Sequence, residues 1–150
     1  MSRHRCLGWM LALAIWVAAI PAAEATDFGR YHNYAELSAA LKTLVAAHPT
    51  LARMTSIGRT GEGRDIWVVE IASQKGRPLA DRPALLVAAS LEGDHLVGSE
   101  LALFLVDHLL RGYAADPVVR QRLDEHVVYV VPRVNPDGAE AGLADGRWRR

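Results

Sequence analysis

The sequence predicts an α/β domain, a mixed β-sheet flanked by helices, and three observations carry that expectation. Pro83 to Ala89 (PALLVAA) is a continuous apolar run, the pattern of a strand buried on both faces of a covered sheet. Val127 to Val131 (VVYVV) is a second such run. Between them Val97, Leu101, Phe104, Leu105 and Leu109 recur at helical spacing. Two apolar strands joined through a helical crossover are how a sheet acquires parallel neighbours.

The other elements follow from local chemistry. Asn33 can cap a helix, with Glu36 three residues on as its reciprocal partner. Leu37, Leu41, Leu44 and Val45 then share one face, and Pro49 ends the helix. Met54 to Ile57 reads as a short strand, Thr60-Gly61-Glu62-Gly63 as a turn, and Ile66 to Ile71 (IWVVEI) as a β-branched strand. Residues 74–82 form a polar loop. Asp116 caps a short helix to Leu123 that has Pro117 at its first position. Asn135-Pro136-Asp137-Gly138 is expected to be a turn, and the tail from Ala139 shows no periodicity. Antiparallel pairing is expected among the early strands.

The 150 residues divide into a leader and at most one domain. Arg3, His4 and Arg5 precede the uncharged apolar run Leu7–Ile20, and Ala23-Glu24-Ala25 offers a small-x-small cleavage site. This is the layout of a secretory signal peptide over residues 1–25. The alternative, a membrane anchor, needs about 20 apolar residues, and Pro21 with the small residues after it also favours cleavage. The expected product, residues 26–150, is secreted or periplasmic and has no membrane span. It has no cysteine, because Cys6 lies in the leader. Disulfides and thiolate metal sites are thereby excluded. With 17 basic and 17 acidic residues, nothing in the charge favours nucleic acid as a partner.

Ligand sites in such sheets lie beyond the carboxyl ends of strands. Ser90 to His95 and Arg133 to Gly138 both follow such ends and could converge. Glu92 and His95 stand three residues apart at a strand-to-helix corner. A carboxylate and an imidazole so placed can chelate one zinc ion, which needs three protein ligands and an open position. Taken by itself the spacing is more often that of helix-start carboxylates beside a surface histidine. Glu100 is read as facing solvent or a neighbouring arginine, and Asp137 as a turn-former. Arg64 is read as supporting its turn or reaching substrate, His48 as a cation at a helix end, and Trp67 as a packing residue.

Several motifs carry a resemblance. Ile57 to Ile66 (IGRTGEGRDI) is similar to a Gly-x-Ser/Thr-x-Glu-Gly-Arg-x-Ile signature. The segment after the strand at 83–89 has Gly93 and then Val97-Gly98-Ser99-Glu100, and Asn135-Pro136-Asp137-Gly138 lies forty residues on. Tyr31 to His48 resembles an opening helix. In this order the motifs resemble the amino-terminal part of zinc carboxypeptidases of the carboxypeptidase A type. That family typically reads His-x-x-Glu where this chain has Glu92-x-x-His95, so the pair is exchanged.

The resemblance implies a carboxypeptidase-like α/β/α domain, one zinc ion and hydrolysis of C-terminal peptide bonds. It implies Glu92 and His95 as metal ligands, and Asn135 and Asp137 as substrate-binding positions. Arg147-Trp148-Arg149-Arg150 is similar to the segment that supplies an arginine to the scissile carbonyl. Arg149 is the candidate catalytic residue there, with Arg147 and Arg150 as alternatives. The substrate would be a peptide or a peptidoglycan-type fragment. The second zinc histidine, the general-base glutamate and an Asn-Arg pair for the substrate carboxylate would belong beyond Arg150. A chain that stops here is expected to expose an open sheet edge, to depend on the rest for stability and to be inactive alone. The competing reading is a metal-free pseudoenzyme that binds peptides or cell-wall fragments.

Overall fold

A computed structural model describes residues 26–146. The elements are α1 (Tyr34–Ala47), β1 (Ala52–Arg59), β2 (Asp65–Ile71), a single 3-10 turn (Leu79–Asp81), β3 (Ala84–Ala88), α2 (Leu96–Ala115), α3 (Pro117–Glu125), β4 (Val127–Val131) and α4 (Pro136–Ala144). The leader and residues 147–150 lie outside the described residues.

The strands form one mixed sheet in the order β1-β2-β4-β3. β1 pairs antiparallel with β2, β2 antiparallel with β4, and β3 parallel with β4. The parallel pair is joined through α2 and α3, as the apolar patterning predicted. Helix α1 begins with the capping box read from Asn33 and Glu36, each side chain bonding the other's backbone N–H. Asp116 caps α3 through the Val118 N–H.

The core lies between the helices and one face of the sheet. Leu37, Leu41 and Leu44 of α1 meet Leu103, Val106 and Leu110 of α2, Leu123 of α3, and Val69, Ile71 and Val130 of the strands. Trp67 is on the same face, donating through Nε1 to Ser38 Oγ at 3.1 Å while the Lys42 ammonium lies 5.3 Å from its ring centroid. It packs, as expected.

Four expectations change. The strand at 83–89 is not buried on both faces: β3 is the edge strand, with Leu85 57% and Leu86 64% exposed. An apolar run reports a strand made to be covered; here only Val87 and Ala89 pack against the core, and Leu85 and Leu86 are left bare by the described residues. In α2 the apolar face taken from the sequence splits: Val97, Leu101 and Phe104 are exposed, while Leu105 and Leu109 pack half-buried against the core. The face that packs carries Leu96, Ser99, Ala102, Leu103, Val106 and Leu110. Both stripes are apolar, so periodicity alone had no polar face to orient the helix.

Asn135 to Gly138 is not a free turn but the first turn of α4, with Asn135 as N-cap accepting from the Gly138 N–H and Pro136 at the first position. Both residues suit a helix start as well as a turn. Finally, burial and the nearby Arg111 lower the pKa of His48, which disfavours the cation expected at the end of α1.

Candidate metal centre

The parallel register places Ala88 of β3 beside Val131 of β4, so the loops that follow leave the sheet at the same end. They are stitched together by backbone bonds: Val134 N–H to the Ala89 carbonyl and Asn135 N–H to the Ser90 carbonyl, each at 3.0 Å. The two glycines complete the contact. A Cβ on Gly93 would lie 2.3 Å from the Gly138 carbonyl carbon, so only glycine permits this approach. The predicted convergence of the two segments is therefore a backbone fact. Ser90 sits at the hinge with φ of 49°, a left-handed conformation rare for a residue with a Cβ.

The first loop lines an open cleft of about 580 Å³ with Ser90, Leu91, Glu92, His95, Val97 and Gly98. Within it Glu92 Oε2 lies 3.2 Å from His95 Nδ1, and Asp94 Oδ1 lies 4.0 Å from His95 Nε2. Glu92, Asp94 and His95 are the one group of three potential ligands found among the described residues, with ligand atoms within 4.8 Å of one another. Ligands bound to zinc at about 2.0–2.2 Å in tetrahedral positions lie about 3.3–3.6 Å apart. At 3.2 Å the Glu92–His95 ion pair stands just short of that separation. Asp94 faces the opposite ring nitrogen, so it joins the same ion only by turning its side chain. All three are exposed, which leaves room for an ion and for water. Two oxygen donors and one imidazole suit zinc, and the residues fit.

Asn135 and Asp137 come close to this loop, but their side chains serve the frame. Asn135 Oδ1 accepts from the Gly138 N–H at 2.9 Å. Asp137 accepts from Thr60 Oγ1 at 2.8 Å, the Glu62 N–H at 3.2 Å and Arg64 at 2.6 Å. It therefore anchors the turn between β1 and β2 to the start of α4, and Arg64 supports that turn. Burial pushes the Asp137 carboxyl up, but the bonds from Arg64, Thr60 and Glu62 outweigh it and hold the group below its ordinary value. A depressed native pKa contributes stability above the unfolded value of about 3.9, lost as pH falls through the native value. Asp137→Asn is thus expected to lower stability at pH 7 and to differ less from the parent near pH 3. Urea melts at both pH values check this, and an equal difference at both would contradict it.

Sequence reasoning missed a buried polar cluster behind the loop. Glu100 does not face solvent: its two oxygens meet the His32 N–H at 2.9 Å and His32 Nδ1 at 2.8 Å. Arg133 is 4% exposed and reaches Ser99 Oγ and the His32 carbonyl, each at 2.9 Å. One signal was available. Glu100 follows buried Leu96 by one helical turn and borders the packed stripe. Nothing in the sequence around Arg133 announces its burial. Arg149 lies outside the described residues.

Comparison with known proteins extends the same picture. The sequence profile described as "Zinc carboxypeptidase" matches residues 37–150. The chain is 31% identical over 121 residues to a zinc carboxypeptidase of Saccharothrix mutabilis subsp. capreolus, covering 79% of this chain and 27% of that protein. It is 32% identical over 128 residues to mouse carboxypeptidase M, covering 85% and 29%. Among solved structures, a metallo-carboxypeptidase from Burkholderia cenocepacia superposes with a TM-score of 0.65 at 26% identity, covering 75% of this chain and 29% of that one. The carboxypeptidase A of Helicoverpa armigera shares the fold, with a TM-score of 0.71 at 20% identity over 89% of this chain and 32% of that one. The chain thus spans less than a third of the length of these relatives. With a profile match over most of its length, and with its paired strand-end loops in the order the motifs required, the chain belongs to the zinc carboxypeptidase family.

Proposed function

We propose that residues 26–150 form the amino-terminal part of the catalytic domain of a secreted or periplasmic zinc carboxypeptidase, which removes C-terminal residues from peptides or peptidoglycan-type fragments. Residues 1–25 act as its signal peptide. One observation carries the reading: Glu92 and His95 meet at 3.2 Å on a strand-end loop, in a chain of this family. Exchanging carboxylate and imidazole between the two positions keeps both as zinc donors of nearly equal bond length.

When bound, the zinc supplies Lewis-acid polarisation and an activated water. The chain's own residues then divide the work. Glu92 and His95 hold the ion. Asn135 and Asp137 contribute to substrate binding through the frame they fix beneath the cleft. Arg149, by the family resemblance of its segment, would stabilise the negative charge that develops on the scissile carbonyl. The remaining ligand, the general base and the grip on the substrate carboxylate are not among these residues and, by the resemblance, would follow Arg150.

Zinc content after dialysis tests this. The complete protein is expected to retain about one ion, and its Glu92→Ala or His95→Ala variant to lose it; equal zinc in all three would sink the assignment. The reversed ligand order favours one rival, a pseudoenzyme that binds peptides or cell-wall fragments without metal. Zinc-dependent release of a C-terminal residue by the complete protein would eliminate that rival.

A further inference from the structure

Behind the metal loop runs a buried chain of hydrogen bonds that the proposed function leaves unused. Ser90 Oγ donates to the His95 carbonyl at 2.8 Å and meets Ser99 Oγ at 2.8 Å. Ser99 Oγ accepts from Arg133 Nε at 2.9 Å. Arg133 also donates to the carbonyl of His32, whose ring and N–H are held by Glu100. Ser90, Ser99, Arg133 and His32 are 6%, 0%, 4% and 4% exposed.

The direction of this chain is fixed by chemistry. A carbonyl only accepts, so the single hydrogen of Ser90 goes to His95. Ser90 must then accept from Ser99, whose oxygen accepts from the donor-only guanidinium. Each bond polarises the next, with a cation at the head. The arrangement is costly. A charge is buried, Glu140 stands 3.6 Å from one guanidinium nitrogen, and that nitrogen has no hydrogen-bond partner among the described residues. Apolar packing alone would not require it.

We propose that Arg133, Ser99 and Ser90 are positioning residues for the metal loop. They touch neither ion nor substrate. They fix the backbone at His95, and with it the direction in which the imidazole is presented to Glu92. The strained φ of Ser90 belongs to the same device: the hydroxyl that holds His95 is on the residue where the chain reverses. This rests on the metal reading above.

Cobalt(II), titrated into the complete protein and followed by its visible absorption, is the probe. The parent is expected to bind one ion. Ser99→Ala and Ser90→Gly are expected to bind about 10–100-fold more weakly, as loss of a ligand's supporting bonds does, with a shifted absorption band. Ser90→Gly carries the test if Ser99→Ala does not fold, since glycine is at ease at positive φ. Val119→Ala, a core truncation remote from this chain, is expected to leave cobalt affinity unchanged. No binding by the parent would overturn the metal reading and this inference with it. Binding by the parent with unchanged affinity and band in both serine variants would overturn positioning alone. So would a weakening in Val119→Ala equal to theirs, which would mark the effect as general destabilisation.

Discussion

Gly93→Ala is expected to cost about 3 kcal/mol of stability, the upper end of what overpacking usually costs. The added Cβ would lie 2.3, 2.4 and 2.7 Å from the carbonyl carbon, Cα and carbonyl oxygen of Gly138. All three are backbone atoms, so no side chain can swing aside. The loops after β3 and β4 must separate, and the bonds from Val134 and Asn135 to Ala89 and Ser90 stretch with them. Stability and metal affinity should therefore fall together. Urea unfolding with zinc titration checks this. An alanine variant as stable as the parent would mean the loops are not in backbone contact.

The second large effect is at Arg133. Arg133→Met keeps much of the side chain's volume but removes every donor. Ser99 Oγ and the His32 carbonyl lose the guanidinium donor, and Glu100 and Glu140 lose the nearby cation. Removing one member of a buried charged cluster costs about 3–5 kcal/mol; with Glu140 partly exposed, about 3 kcal/mol is expected. Arg133→Lys should recover only part, because an ammonium on a flexible stem does not match the fork that spans Ser99 and His32. Chemical denaturation of the three proteins measures it. A methionine variant at parental stability would show that the buried cation contributes nothing net.

Much of the fold was legible because its signals are local. The Asn33–Glu36 box, Asp116 with Pro117, and the two apolar strands each specify an element within a few residues. The errors share another cause, since they concern what lies opposite a residue in space. Helix α2 is apolar on two stripes, and only the sheet decides that Leu96, Leu103 and Val106 face inward while Leu101 and Phe104 do not. The run at 84–88 has the composition of a covered strand but stands at an open edge. Asn135 and Pro136 begin a helix as readily as a turn.

The candidate site divides in the same way. Glu92 and His95 are neighbours in sequence, and their meeting could be anticipated from spacing. The approach of Gly93 to Gly138 was anticipated only as a convergence of loops. The path from Arg133 through Ser99 and Ser90 to His95 joins residues 34, 9 and 5 apart in the chain. No periodicity encodes such a path.

Anomalous diffraction at the zinc edge, from crystals of the complete protein grown with one equivalent of zinc, is the decisive test of zinc binding by Glu92 and His95 in exchanged order. A peak is expected about 2.0–2.2 Å from a Glu92 oxygen and a His95 ring nitrogen. A zinc peak elsewhere, or none with both side chains ordered and free of metal, would contradict it.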